Sequence, residues 1–295
     1  MTELTIFTAP KPFTDPHIAA IQRNAIQSWV HLGGGVQVIL MGTDTGVDDL
    51  AAELGLLHIP DVATNEKGVP YIGDMFRLAR EHSDAPVLAI VNADILLFPD
   101  FLLAARQAHK QWKEFVLVGQ RWDLDVTGEI EFSAGWQERL LADAHSRGRL
   151  HNPAGSDYFI FSRPVYQQVP DFTIGRAGWD NWMIYHARRK AWKVLDATAD
   201  ITIIHQNHDY SHLPDGKIHY RLPESEENVA LGGGVHHMDN LIDLDGIMID
   251  GQAQPKPLTW FRLVRKTERL LQPKSQAGKV RTRLYTIVKR YRKRL

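Results

Sequence analysis

The sequence predicts an α/β protein in which a mixed sheet is flanked by helices and followed by a C-terminal basic amphipathic helical tail. Within residues 1–112, short apolar runs alternate with segments of helical spacing, which is typical of strands joined by helices. The apolar runs that follow lack this alternation and are separated by polar, Trp-rich loops. Residues 262–295 carry 13 Lys and Arg against one acid, Glu268, and form the predicted tail.

The first half alternates predicted strands with predicted helices. Residues 4–7 form an apolar strand that ends in the loop Thr8-Ala9-Pro10. A helix is expected next, because apolar residues recur at helical spacing at Ile18, Ile21, Ala25, Ile26 and Trp29. The following elements are predicted as strand 36–41, helix 48–56, strand 57–59, helix 72–82 and strand 86–91. This order predicts a parallel sheet with helices on both faces.

The second half has a different pattern. Residues 115–119, 130–132 and 158–162 are predicted to be strands, 180–190 a helix and 200–205 a further strand. Residues 206–257 are predicted to be rich in loops. We find no internal repeat and no low-complexity segment.

Composition limits the chemistry and the location. The chain has 295 residues, of which 44% are hydrophobic, so a large core can form. It contains no cysteine, which excludes disulfides, a thiolate nucleophile and Cys-ligated metals. No apolar run approaches the roughly 18 residues of a spanning helix, and no signal peptide is recognised. We expect a cytoplasmic protein, with a peripheral position on the inner face of the cell membrane as the alternative.

The strongest candidate site is Asn92-Ala93-Asp94, directly after the most apolar predicted strand. Ligands of open α/β sheets bind beyond the carboxyl ends of strands. An Asn and an Asp two residues apart can together hold a hard divalent cation and a ribose or phosphate oxygen. The alternative is a turn in which both side chains only cap the next helix.

These residues resemble a known family, the nucleotide-diphospho-sugar transferases of the GT-A fold, and the chain is similar to glycosyltransferase family 2. The matching features are the Thr8-Ala9-Pro10 loop, Asn92-Ala93-Asp94 in the place of an Asp-x-Asp motif, and Gly178-Trp179-Asp180-Asn181-Trp182. The resemblance covers roughly residues 4–212. It departs from the family pattern at Asn92, which replaces the first Asp, so the implied ribose contact is in doubt.

The resemblance implies a GT-A-like (Rossmann-like) fold over residues 1–257. Residues 1–112 would form the nucleotide-sugar-binding half, 113–257 the acceptor half and 258–295 the tail. Donor contacts are implied for Thr8, Ala9, Pro10, Asn92, Ala93 and Asp94. A divalent cation, Mn²⁺ or Mg²⁺, is implied as cofactor, with Asp94 as a metal ligand.

Asp180 stands at the start of a predicted helix. The resemblance implies that an acid in this place faces the acceptor and acts as the general base of an inverting transfer. Capping of the helix is the alternative role. The neighbouring Trp179 and Trp182 are candidates for stacking on acceptor sugar rings, although core packing is the commoner use of Trp.

Three histidines, His205, His208 and His212, follow the predicted strand 200–205. A three-His zinc site would require this segment to turn helically, and no capping signal predicts that. The resemblance implies instead that one His completes the metal shell around the diphosphate, with His205 nearest to the strand end and His208 as the second candidate.

Two further groups carry weaker signals. Arg77 and Arg80 lie on the predicted helix 72–82, where they can neutralise phosphate or remain surface residues. Asp157 precedes a predicted strand and can bind acceptor hydroxyls or form a turn.

The tail from 279 to 295 places its apolar residues on one helical stripe, with Lys and Arg on the other face. Such a helix binds an anionic membrane surface. A nucleic acid partner is not expected, because it would bind the Lys and Arg and give the apolar stripe no role. Packing of the stripe against the acidic remainder of the chain is the alternative.

The sequence therefore predicts a metal-dependent glycosyltransferase that moves a sugar from a nucleotide-diphosphate sugar to a hydroxyl acceptor. The tail favours a lipid-linked or envelope polysaccharide acceptor. Two alternatives remain: a His/Asp metal-dependent hydrolase using the three histidines, and a non-catalytic nucleotide-sugar-binding module.

Overall fold

The computed structural model describes residues 2–208, 222–273 and 278–295. The strands, in chain order, are β1 (Leu4–Thr8), β2 (Val36–Met41), β3 (Leu57–Ile59), β4 (Val87–Val91), β5 (Ile95–Leu97), β6 (Phe115–Val118), β7 (Trp122–Leu124), β8 (Arg149–Leu150), β9 (Tyr158–Ser162), β10 (Lys193–Asp196), β11 (Ile203–Gln206), β12 (Gly246–Ile249) and β13 (Gln252–Pro255). The helices are α1 (Pro16–Val30), α2 (Val47–Leu54), α3 (Ile72–Glu81), α4 (Pro99–Gln111), α5 (Trp136–Arg147), α6 (Trp179–Arg189), α7 (Pro223–Leu231), α8 (Trp260–Leu271) and α9 (Lys279–Arg292).

A nine-stranded sheet forms the centre of the molecule, in the order β13-β12-β10-β6-β9-β4-β1-β2-β3. Strands β1 to β4 are parallel, as their alternation with helices predicts. Strand β9 lies between β4 and β6 and is antiparallel to both. The predicted α/β fold with a mixed sheet flanked by helices is therefore confirmed.

Side chains alternate between the two faces of this sheet and bury two apolar layers. Leu4 and Ile6 of β1 point to one face, which is covered by α1, α2 and α4. Phe7, one residue on, points to the other face, covered by α3 and α6. This period of two is what a strand buried on both faces requires.

Helix α1 shows how local signals set an element. Asp15 accepts hydrogen bonds from the backbone N–H groups of His17 and Ile18, and Pro16 occupies the first helical position. The predicted helical stripe is buried against the sheet. At its end, the indole N–H of Trp29 donates to the carbonyl oxygen of Ile95 at 2.8 Å, which ties α1 to β5.

The sequence prediction is wrong in one segment and incomplete in another. Residues 130–132 form no strand: the backbone N–H of Ile130 donates to the Asn24 side chain, and Phe132 packs on His31 and Trp136. These apolar residues cover α1 and α5 instead of pairing in a sheet. Residues 206–257 are not merely loops, since they contain α7 and the β12–β13 hairpin, which extends the main sheet. Helices α4, α5 and α7 were not predicted.

A second, four-stranded sheet in the order β5-β11-β7-β8 joins segments that are far apart in sequence. Strand β11 is antiparallel to β5 and parallel to β7, so residues 95–97, 122–124 and 203–206 lie side by side. This small sheet begins where β4 ends, and it carries Asp123 and His205, which are described below.

The basic tail consists of two helices that pack against each other. Helix α8 lies on the acidic segment 239–245 through the ion pairs of Arg265 with Asp243 and Arg269 with Asp239. Helix α9 packs on α8, where Arg292 pairs with Glu268. None of the described helices combines the length and apolar character needed to cross a membrane.

Candidate active site

Asp94 lies in the short turn between β4 and β5, at the carboxyl end of a fully buried strand. All five side chains of β4 are buried, which fixes the position of the turn. The loop 8–10 leaves β1, the parallel neighbour of β4, and therefore emerges beside this turn. Thr8 and Pro10 are buried in the loop, while Ala9, Asn92 and Ala93 are partly exposed.

The small sheet brings two histidines to Asp94. The Nε2 atom of His205, on β11, lies 3.6 Å from the Asp94 Oδ2 atom, and the Nε2 atom of His208 lies 3.2 Å from the same oxygen. One ligand atom of each of the three residues falls within 4.8 Å of the others. His205 is buried, and the side chains of Asp94 and His208 are largely buried. His212 lies outside the described residues.

The chemistry of this cluster fits a divalent cation. The Oδ1 atom of Asp94 is buried and has no hydrogen-bond partner among the described residues. A buried carboxylate oxygen without a donor is costly, and a metal ion would satisfy it. Carboxylates suit Mn²⁺ and Mg²⁺, and imidazoles are ligands of first-row transition metals. The residues present could therefore hold such an ion.

The electrostatics favour the protonation states that metal ligands need. Burial by itself would raise the pKa of Asp94, but His205, His208 and Lys11 outweigh it and hold this pKa well below its ordinary value. Burial lowers the pKa of His205, although Asp94 opposes the effect. At neutral pH the site therefore contains a carboxylate and a neutral imidazole, and Lys11 supplies positive charge nearby.

A second layer of polar residues lies behind the cluster. Asp123 on β7 accepts from Arg121 Nε at 2.8 Å, and its other oxygen lies 2.7 Å from His151 Nδ1. Arg121 also donates to Asp157 at 2.7 Å, and Asp157 accepts from the amide of Asn92 at 3.0 Å. Asp157, predicted on the acceptor side, is thus engaged by Arg121 and Asn92, and the Asn92 amide N–H₂ is directed at Asp157.

Asp180 is the second residue of α6, and Gly178 is the N-cap, so Asp180 does not itself cap the helix. Gly178 has φ 109°, and a Cβ atom there would meet Val229 at 3.1 Å, so this turn favours glycine. Burial raises the pKa of Asp180 to about 6, and the charge of Asp157 adds to the rise. The carboxylate of Asp180 therefore lies close enough to that of Asp157 for the two charges to interact.

Four residues that were candidates for contacts with the acceptor or the phosphates have other contacts in the structure. Trp179 and Trp182 are buried in the core, packed on Phe159 and Phe172, so neither presents an open face to a sugar. Arg77 is exposed and pairs with Asp74 and Glu81 on its own helix, away from the cluster. Arg80 donates to three backbone carbonyls, of residues 163, 165 and 166.

Sequence reasoning missed Lys11, Arg121, Asp123 and His151. One signal was present: Arg121 and Asp123, two residues apart, follow soon after the apolar residues 115–118, beyond a strand end, where ligands of α/β sheets bind. The network that they form joins residues on β7 and β11 with residues next to β5 and β8, and the pairing of these strands has no local signature.

Comparisons with known proteins find similarity only at the level of structure. No protein-family profile matches the chain, and no curated protein matches it. The solved structures similar to it include a mannosyltransferase from Pyrobaculum calidifontis in complex with GDP-Man and Mn²⁺, with 16% identity and a TM-score of 0.44. That similarity covers 71% of this chain, which spans 58% of the mannosyltransferase.

Two further structures are similar at comparable levels. A putative nucleotide-diphospho-sugar transferase from Desulfovibrio desulfuricans is 12% identical over 79% of this chain and 98% of its own, with a TM-score of 0.43. Glucosyl-3-phosphoglycerate synthase from Mycobacterium tuberculosis is 14% identical over 88% of both chains, with a TM-score of 0.47. All three similarities are distant.

Proposed function

We propose that this protein is a glycosyltransferase that moves a sugar from a nucleotide-diphosphate sugar to a hydroxyl acceptor with the aid of Mn²⁺ or Mg²⁺. The convergence of Asp94, His205 and His208 at the carboxyl edge of the sheet carries the proposal. Asp180, whose pKa is raised into the range of a general base, supports it.

The proposed roles follow from the arrangement of the residues. Asp94, His205 and His208 would hold the metal, which neutralises the charge that develops on the leaving diphosphate. Lys11 adds positive charge on the same side. The loop 8–10 and residues 92–94 border the space in which the donor nucleotide would lie.

Asp180 is the proposed base. Its carboxylate accepts the proton of the acceptor hydroxyl while that oxygen bonds to the anomeric carbon, and the bond from this carbon to the diphosphate oxygen breaks with the electron pair leaving on the diphosphate. Attack from the side opposite to the leaving group inverts the configuration at the anomeric carbon. The acceptor would approach over the start of α6.

The acceptor is proposed to be lipid-linked or part of an envelope polysaccharide, reached by a protein held at the inner face of the cell membrane. The two tail helices support this proposal. Of the 14 large hydrophobic side chains that are exposed among the described residues, nine lie between Leu258 and Leu295, amid the exposed Lys and Arg of the tail. We retain residues 1–112, 113–257 and 258–295 as donor half, acceptor half and tail.

The test is a thermal-shift screen of UDP-, GDP-, CMP- and dTDP-sugars, each with and without Mn²⁺ or Mg²⁺. A ligand of the native state raises the melting temperature by mass action. We expect one nucleotide class to give a shift that requires the metal, and Asp94→Asn to lose that shift.

Two results would redirect the proposal. A large shift with Zn²⁺ alone would favour the metal-dependent hydrolase. Donor binding without transfer to any hydroxyl acceptor would favour a binding module. Asp143→Asn, in an exposed ion pair with Arg147 on α5, is the matched control and should behave like the wild type.

A further inference from the structure

His205 stands between two carboxylates. Its Nε2 atom lies 3.6 Å from Asp94 Oδ2, and its Nδ1 atom lies 3.6 Å from Asp123 Oδ1. Strands β11 and β7 are paired in parallel with His205 opposite Asp123, so the second contact is set by the sheet register. Nδ1 is buried and has no hydrogen-bond partner among the described residues, and Asp123 Oδ1 lies 3.6 Å from it.

A neutral imidazole has one N–H and one lone pair. A carboxylate can only accept, so the single hydrogen of His205 can serve one of the two carboxylates. If Nδ1 carries it, the Nε2 lone pair points toward Asp94, and a cation between them resolves the remaining repulsion. If Nε2 carries it, the ring bonds to Asp94 and cannot ligate through that nitrogen.

Other contacts hold the Asp123 side chain in place, which favours Asp123 over Asp94 as the acceptor of the His205 ring hydrogen. Arg121 donates to its Oδ1 atom at 2.8 Å, His151 Nδ1 lies 2.7 Å from its Oδ2 atom, and its backbone belongs to a strand. The side chain has little freedom to turn away from His205. Closing the gap from 3.6 Å to an ordinary hydrogen bond takes a shift of about 0.5 Å.

We infer that Asp123 is a positioning residue of the metal centre: its carboxylate accepts the Nδ1 hydrogen of His205 and thereby directs the Nε2 lone pair at the metal position beside Asp94. The inference rests on the proposed metal centre. Carboxylate partners of this kind orient His ligands and raise their basicity, and losing one typically weakens metal binding by about 10- to 100-fold.

The first measurement is made on the metal-free wild type, labelled with ¹⁵N in histidine, with the His205 signals assigned by their loss in His205→Gln. The ¹⁵N shifts report which ring nitrogen carries the hydrogen. We expect Nδ1–H in the wild type and a change toward Nε2–H in Asp123→Asn, where Asp94 is the one described carboxylate left within 4 Å of a ring nitrogen. A wild-type ring with hydrogen on Nε2 would overturn the inference without any variant.

The second measurement is Mn²⁺ affinity, from the electron paramagnetic resonance signal of free Mn²⁺. Asp123→Asn should bind Mn²⁺ about 10- to 100-fold more weakly than the wild type, while Asp143→Asn should bind it equally well. Unchanged affinity in Asp123→Asn would contradict the inference alone. Absence of Mn²⁺ binding in the wild type would contradict the proposed function. The position of the His205 ring hydrogen, measured without metal, would still show whether Asp123 accepts it.

Discussion

At the residue scale, Asp180 illustrates how burial can prepare a group for chemistry at a cost in stability. Desolvation at the start of α6, with the charge of Asp157 nearby, raises its pKa to about 6. A carboxylate with this pKa is a stronger base than an exposed one and is still mostly ionised at neutral pH.

Asp180→Asn tests the catalytic role. The amide cannot accept the hydroxyl proton, so kcat should fall by about 10²- to 10⁴-fold while Mn²⁺ affinity stays unchanged. In the wild type, kcat/KM should fall by about tenfold per pH unit below pH 6 and level off above it, because protonated Asp180 is inactive. A variant with wild-type kcat would exclude Asp180 as the base, and so would a wild-type profile that stays flat below pH 6.

The same substitution should stabilise the protein at neutral pH. The folded-state pKa of Asp180, about 6, lies above the ordinary value of 3.8, so the folded state binds this proton more tightly than the unfolded state does. Ionisation therefore costs stability as the pH rises between these values. We expect Asp180→Asn to melt higher than the wild type above pH 6, with this advantage lost below about pH 4. Melting curves across this range would contradict the idea if the difference did not depend on pH.

At the scale of single elements, α8 attaches the tail to the acidic segment 239–245. Arg262 is buried and donates to the carbonyl oxygens of Leu244, Lys256 and Pro257 at 2.6 to 2.7 Å. Arg265 and Arg269 follow on the same face of the helix and pair with Asp243 and Asp239. Part of the excess positive charge of the tail is therefore neutralised by acidic residues of the same molecule.

Arg262→Ala should lower the free energy of unfolding by about 2–4 kcal/mol, because it removes a buried guanidinium and leaves three carbonyl groups, including the buried one of Leu244, without this donor. Lys266→Ala is the control: Lys266 is exposed and pairs with the exposed Asp245, so a change of at most about 1 kcal/mol is expected. Urea unfolding followed by circular dichroism measures both. Equal losses in the two variants would show that the buried contacts of Arg262 do not hold α8 in place.

Helix α9 keeps much of its apolar stripe exposed, with Val280 at 74% and Ile287 at 55%. Trp260 of α8 lies beside it and donates to the Tyr291 hydroxyl at 3.1 Å. The alternative in which the stripe packs fully against the acidic remainder of the chain does not hold in this structure. Among the described residues, α9 packs on α8, and Val280, Leu284 and Ile287 stay exposed.

The exposed surface of α9 predicts binding to vesicles that contain phosphatidylglycerol and weak binding to vesicles of phosphatidylcholine alone, since each Lys or Arg near an anionic surface contributes about 1 kcal/mol. Ile287→Ser should reduce co-sedimentation. Leu103→Ser on α4, where the side chain is 53% exposed, is a matched control that should not. Equal losses in both variants, or binding unaffected by Ile287→Ser, would argue against the membrane contact.

At the scale of the whole molecule, the candidate metal centre joins the two halves of the chain. Asp94 comes from residues 1–112, whereas His205 and His208 come from a segment more than 100 residues later. A ligand bound by both halves stabilises only the folded arrangement that brings them together.

Mn²⁺ should therefore raise the melting temperature of the whole chain, by the equivalent of about 2.7 kcal/mol at a concentration of 100 times Kd. Asp94→Asn and His205→Gln should each remove most of this shift, and EDTA should reverse it in the wild type. Differential scanning calorimetry measures the effect. A shift of the same size in Asp94→Asn would place the metal elsewhere.

Much of the fold could be predicted from local patterns. The alternation of apolar runs with helical stripes predicts β1 to β4 and α1 to α3, and the position of Asp94 follows from the end of β4. Residues 130–132 show the limit of such patterns: a short apolar run is compatible with a strand, and only its contacts with His31 and Trp136 decide that it packs as a loop.

The site was predictable to the extent that single residues stand at strand or helix ends. Asp94, His205 and Asp180 can be chosen for this reason, with support from the resemblance. Trp179 and Trp182 could not be assigned, because a Trp at a helix start suits a sugar face and a core equally well until the neighbouring strand is known.

The sequence by itself determined the alternation of strands and helices, the basic tail and the carboxylate at the end of β4, because hydrophobic periodicity and residue type are local properties. Only the tertiary structure decided that β11 pairs with β5 and β7, and hence that His205 lies between Asp94 and Asp123. The physical reason is that pairing between distant strands depends on the packing of the whole chain, which no short segment encodes.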